Sequence, residues 1–132
     1  MRVVVDTNVL ISALIGHGKP RRLLIELLEG HQVVSSPQML AELADVLSRE
    51  KFIEVDKSQV RSFLSILASI VVLVTAEQSF RVIAGDPDDD VVLGTAYKGK
   101  ATHIVSRDRH LLNPKRFRGI RILTVNEMLQ LL

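Results

Sequence analysis

The stretch that most restricts this chain is Val3-Val4-Val5 followed at once by Asp6. A short β-branched run that is apolar on both faces reads as a strand buried inside a parallel sheet. A carboxylate directly after such a strand falls at its carboxyl end, where open α/β sheets bind their ligands. Asp6, Thr7 and Asn8 are also good cap formers, so the apolar run that follows is expected to open a helix over Asn8–Ile15.

The rest of the chain repeats this alternation. A helix is expected over Pro20–Glu29, with Leu23, Leu24, Leu27 and Leu28 on one face and Gly30 as its stop, then a short strand at Val33-Val34. Ser36-Pro37 starts a further helix to about Arg49. Its apolar stripe is Leu40, Leu43, Ala44 and Leu47, and Glu42 lies off that stripe between Met39 and Val46. Another helix is expected over Asp56–Ile70, and Val71-Val72-Leu73-Val74 reads as a buried strand. The segment Asp86-Pro87-Asp88-Asp89-Asp90 opens a helix, and Asp90 is taken as the acid in register with it. Acids in a first helical turn are favoured by the helix dipole, which accounts for one or two of the four more readily than for all. Thr102–Val105 is expected as a strand followed by Ser106-Arg107-Asp108, and Ile120–Leu123 as a short edge strand. Thr124 caps a last helix to Leu132. Alternating strands and helices imply a three-layer α/β/α domain with a central, mostly parallel sheet, and residues 1–132 are expected to form a single domain.

Composition narrows the function classes. With 132 residues, 47% of them hydrophobic and 24% charged, the chain suits one globular domain with its own core. Cysteine is absent, so disulfides, thiol catalysis and Cys-type zinc sites drop out and a reducing, cytoplasmic setting is expected. The most apolar stretch, Ile66–Ala76, is broken by Ser69 and too short to span a membrane, and no leader peptide is expected before the first strand. Between Lys98 and Arg121 there are eight basic residues against the single acid Asp108. Such a stretch suits a phosphate backbone, with Arg107, Arg109, Lys115 and Arg116 as the nucleic-acid-binding candidates, though a solvated surface would read the same way. The four histidines show no paired-ligand spacing and read as surface residues.

Asp6 and Asp108 each follow a strand, and if those strands are parallel neighbours the two acids converge on one sheet edge. Together with Glu42 and Asp90 they offer the oxygen ligands that Mg²⁺ or Mn²⁺ takes. No nucleophilic triad and no glycine-rich phosphate loop stands beside them, so metal-assisted hydrolysis is the chemistry left.

The opening Val5-Asp6-Thr7-Asn8-Val9-Leu10-Ile11-Ser12 and the segment Asp86–Ala96 resemble PIN-domain ribonucleases, within them the VapC-like toxins of toxin–antitoxin pairs. The resemblance runs nearly the length of the chain. It implies catalytic and metal-binding roles for Asp6, Glu42, Asp90 and Asp108, with Asp88 or Asp89 as alternatives that could share the role of Asp90. Thr7, Asn8 and Ser106 would be supporting pocket residues. Relatives often carry an acid at the position of His110, which this chain lacks. The implied activity is Mg²⁺- or Mn²⁺-dependent endoribonuclease cleavage of single-stranded RNA, leaving a 3′-hydroxyl and a 5′-phosphate. The implied partners are a cognate antitoxin and a second copy of the chain. Two other readings stay open, a catalytically silent RNA- or partner-binding module on the same fold and a metal-dependent phosphohydrolase of another α/β family. Clustered acids argue against a binder of polyanions. Asp6-Thr7-Asn8 lacks the second acid of the Asp-x-Asp that a haloacid-dehalogenase-like enzyme would show.

Overall fold

A computed structural model describes residues 1–49, 56–75 and 87–132, and of Pro87 and Asp88 the backbone only. Asp86 and the side chain of Asp88 therefore lie outside the described residues. The elements in chain order are β1 (Arg2–Val5), α1 (Thr7–Ile15), α2 (Lys19–Gly30), β2 (Gln32–Ser35), α3 (Pro37–Leu47), α4 (Lys57–Ile70), β3 (Val72–Leu73), α5 (Pro87–Lys98), β4 (His103–Val105), α6 (Arg109–Leu112), β5 (Arg116–Phe117), β6 (Ile120–Leu123) and α7 (Val125–Leu131).

Among the described residues the strands form one six-stranded sheet in the order β3-β2-β1-β4-β6-β5. Every pairing is parallel except the antiparallel β5–β6 pair. Because side chains alternate across a strand, Val3 and Val5 enter one core and Val4 enters another. On the first face they meet Leu10, Leu23, Leu27, Leu43, Leu67 and Met128, contributed by α1, α2, α3, α4 and α7. On the second, Val4 and Val34 meet Val92, Leu93 and Ala96 of α5 and Leu111 of α6. That is the three-layer α/β/α arrangement expected from the sequence.

Three local readings differ from expectation. β6 is an inner strand with Ile120, Ile122 and Leu123 buried, and the edge belongs to β5. β5 exists because Arg118 (φ 48°) and Gly119 (φ 84°) make a two-residue turn with both φ positive, the kind that matches hairpin twist and here pairs Phe117 with Ile120. β3 covers only Val72 and Leu73, and Leu73 is 45% exposed because the strand lies at the opposite edge of the sheet.

Two features of this frame lead to measurable outcomes. Just after α5, a Cβ placed on Gly99 would run into Val34 Cγ1 of β2 and stand 3.1 Å from the Thr95 carbonyl oxygen. Only glycine lets α5 come this close to the sheet, so Gly99→Ala should lower unfolding free energy by about 1–3 kcal/mol in a urea titration. An unchanged midpoint would contradict this packing. In β4, burial and then the facing Arg121 hold the His103 imidazole below its ordinary value of 6.5. The fold thus prefers His103 neutral, the unfolded chain takes up its proton first as pH falls, and stability drops below about pH 6.5. The expected result is that a neutral His103→Gln variant gains on wild type as pH goes from 7 to 5. A melting-temperature difference that is constant over that range would count against it.

Among the described residues no helix is long and apolar enough to cross a membrane.

Candidate metal centre

Parallel pairing brings the carboxyl ends of β1, β2, β4 and β6 to one edge. The chain leaves β1 for β2 on one side and returns to β4 on the other, so Asp6 and Ser106 stand at the point where strand order reverses. The Asp6 N–H continues the ladder to the Val105 carbonyl at 2.9 Å. Asp6 is 7% exposed, and its carboxylate accepts from the Thr7 N–H at 2.8 Å and from the Ser106 hydroxyl at 2.7 Å. Ser106, fully buried, accepts in turn from the Asp108 N–H at 3.0 Å. One hydroxyl thus ties the acid after β1 to the backbone of the acid after β4, which fixes the orientation of Asp6.

Asp108 caps the one-turn helix α6, accepting from the His110 N–H at 2.9 Å. A carboxylate oxygen of Asp108, one of Asp89 and a ring nitrogen of His110 all lie within 4.8 Å of one another. Among the described residues, the acid that α5 contributes to this group is Asp89, 4% exposed. Asp90, favoured from the sequence, is half-buried one residue further on and stands outside the group of three. The physical reason is helix phase: Asp89, Val92, Leu93 and Ala96 are spaced i, i+3, i+4, i+7 and are all buried, which puts Asp89 on the inward face of α5. That spacing was available in the sequence.

The remaining expected residues sort by burial. Glu42 is half-buried on α3, a helix in contact with both α1 and α5. Thr7 is buried, and its hydroxyl has no hydrogen-bond partner among the described residues. Asn8 is exposed. Arg107, Arg109, Lys115 and Arg116 are all exposed, and Arg107 donates to the Ser12 hydroxyl at 2.7 Å. Beside the acids opens a cavity of about 380 Å³ lined by Lys19, Arg107, Thr124 and Asn126, with Ser106 shared between cavity and acid group.

Two carboxylate oxygens and an imidazole nitrogen, close enough to share one ion, are a donor set that fits a divalent cation.

The chain is 30% identical over 118 residues to an uncharacterized protein of Methanocaldococcus jannaschii, covering 86% of this chain and 74% of that one. Among solved structures it is similar to VapBC2 from Rickettsia felis bound to a DNA fragment from their promoter (TM-score 0.64, 19% identity, 94% of this chain and 98% of that one). It is similar also to a toxin–antitoxin complex from Klebsiella pneumoniae (TM-score 0.64, 15% identity, 93% and 97%) and to PAE2754 from Pyrobaculum aerophilum (TM-score 0.65, 17% identity, 99% and 89%). At these identities the structural likeness speaks to the fold. The sequence itself matches the PIN domain over residues 2–110, and the chain belongs to the PIN-domain family.

Proposed function

We propose that this chain is a divalent-metal-dependent endoribonuclease, the toxin of a toxin–antitoxin pair, acting on single-stranded RNA. The observation that carries the reading is the meeting of Asp89, Asp108 and His110 donors within 4.8 Å of one another, with Ser106 joining Asp6 to the backbone of Asp108 where strand order reverses. In this reading Asp6, Asp89 and Asp108 hold Mg²⁺ or Mn²⁺, Glu42 completes the acid set from α3, and Asp90 flanks it. A bound divalent ion would supply hydroxide from its water and offset charge on the phosphodiester. Ser106 and the Thr7 N–H keep Asp6 aimed, and the exposed Arg107, Arg109, Lys115 and Arg116 bind the RNA backbone. Products would carry a 3′-hydroxyl and a 5′-phosphate. One solved neighbour is a toxin–antitoxin complex from Klebsiella pneumoniae, and another is VapBC2 from Rickettsia felis bound to promoter DNA. Their likeness supports a cognate antitoxin as partner. A homodimer, a cytoplasmic location and one domain over residues 1–132 complete the proposal.

Purified protein incubated with single-stranded RNA and Mg²⁺ or Mn²⁺ tests it. Wild type should cleave and Asp6→Asn should not; equal cleavage by both would end the nuclease reading. The basic residues make a separate prediction. Neutralising Arg107, Arg109, Lys115 and Arg116 together should weaken RNA binding and lower the slope of log affinity against log salt by up to about three, since each phosphate contact on a single strand contributes about 0.7. An unchanged slope would mean that these four residues form only a solvated surface.

A further inference from the structure

We infer that His110 is itself a ligand of the ion held by Asp89 and Asp108, and that its nitrogen tilts the site from Mg²⁺ toward first-row transition ions such as Mn²⁺. The inference rests on the metal-dependent reading above and adds the kind of metal.

Sequence spacing leaves His110 a surface residue, and the histidine is indeed exposed, its side chain 69% accessible beside Asp108 at 25%. What the structure adds is its company. Its backbone N–H is fixed on Asp108 Oδ1 at 2.9 Å, so the first turn of α6 holds the ring over the same carboxylate. Nδ1 stands 3.7 Å from that oxygen, too long for a hydrogen bond. Metal–ligand bonds of about 2.0–2.3 Å place two donors of one ion roughly 3–4.5 Å apart, which spans this separation. The three donors run from buried Asp89 through Asp108 to exposed His110, so an ion among them would be anchored on the inside and open to solvent beside the imidazole.

The donor types decide the metal. Mg²⁺ demands an octahedral oxygen shell and keeps most of its waters, whereas imidazole suits transition ions. Charge points the same way: an imidazole ligand brings no negative charge to the exposed side of the site, where a polyanion must enter, and Arg107 and Arg109 are exposed as well.

Pulsed EPR of the full chain loaded with Mn²⁺ alone reads the ligand directly. Wild type should show nitrogen modulation from a coordinated imidazole, and His110→Ala and His110→Asp should lose it while still binding Mn²⁺. Calorimetric titrations with Mg²⁺ and Mn²⁺ read the preference. Losing even an outer hydrogen-bond partner of a metal ligand costs about 10–100-fold in affinity, so the Mn²⁺-over-Mg²⁺ ratio should fall at least about tenfold in His110→Asp. Mn²⁺ bound to wild type without nitrogen modulation, or an unchanged ratio in His110→Asp, would overturn the role of His110 and leave the metal site standing. Failure of wild type to bind Mn²⁺ at all would overturn both.

Discussion

Asp89→Asn should reduce RNA cleavage by roughly 10²–10³-fold, because several kcal/mol of charge stabilisation would depend on the ion it is proposed to hold. Asp90→Asn should cost far less. The contrast follows from helix phase: neighbouring residues on α5 differ by about 100° around the axis, and Asp89 is the one on the buried face with Val92, Leu93 and Ala96. Asparagine matches aspartate in volume, so both variants should keep wild-type circular dichroism. Single-turnover cleavage rates measured side by side check the asymmetry. If Asp90→Asn is the inactive one and Asp89→Asn is not, the donor set has been drawn one residue out of place.

The same cluster should make stability depend on metal. Asp89 and Asp108 bring two carboxylates to within 4.8 Å, and Asp6 is joined to Asp108 through Ser106, so without a cation like charges crowd a largely buried site. An ion that binds only the folded chain stabilises it by about 2.7 kcal/mol at a hundredfold excess over its dissociation constant. For a chain of this size that raises the melting temperature by roughly 8–12 °C. Asp89→Asn removes both one repelling charge and one ligand. It should therefore melt above wild type in EDTA and gain less from added Mn²⁺. Matching melting temperatures and matching Mn²⁺ responses would mean that these acids do not act as one site.

How far the sequence leads depends on how local the determining physics is. Val3-Val4-Val5-Asp6 is readable because burial on both faces and a terminal carboxylate are written in consecutive residues, and Ser106-Arg107-Asp108 after β4 repeats the pattern. Their convergence follows once β1 and β4 are neighbours. The hairpin β5 was not readable, since two residues carry no periodicity and only the Arg118-Gly119 turn announces it. β6 looked like an edge because it is short, and its inner place depends on that hairpin. The burial of Asp89 was readable in principle, through its i, i+3, i+4 partners, but a run of consecutive acids hides the phase. His110 was not, because a single turn of helix capped by Asp108 sets its position, and histidine spacing along the chain says nothing about such a turn.

If the acids at the β1–β4 edge cleave RNA through a divalent ion, cleavage must depend on that ion and leave the ends that metal-assisted hydrolysis produces. The most direct measurement maps the ends of single-stranded RNA fragments produced by wild type in Mn²⁺ and in EDTA. Cuts are expected in Mn²⁺ alone, every one leaving a 3′-hydroxyl and a 5′-phosphate, and none in EDTA. Cleavage that persists undiminished in EDTA, or fragments ending in cyclic 2′,3′-phosphate, would contradict it.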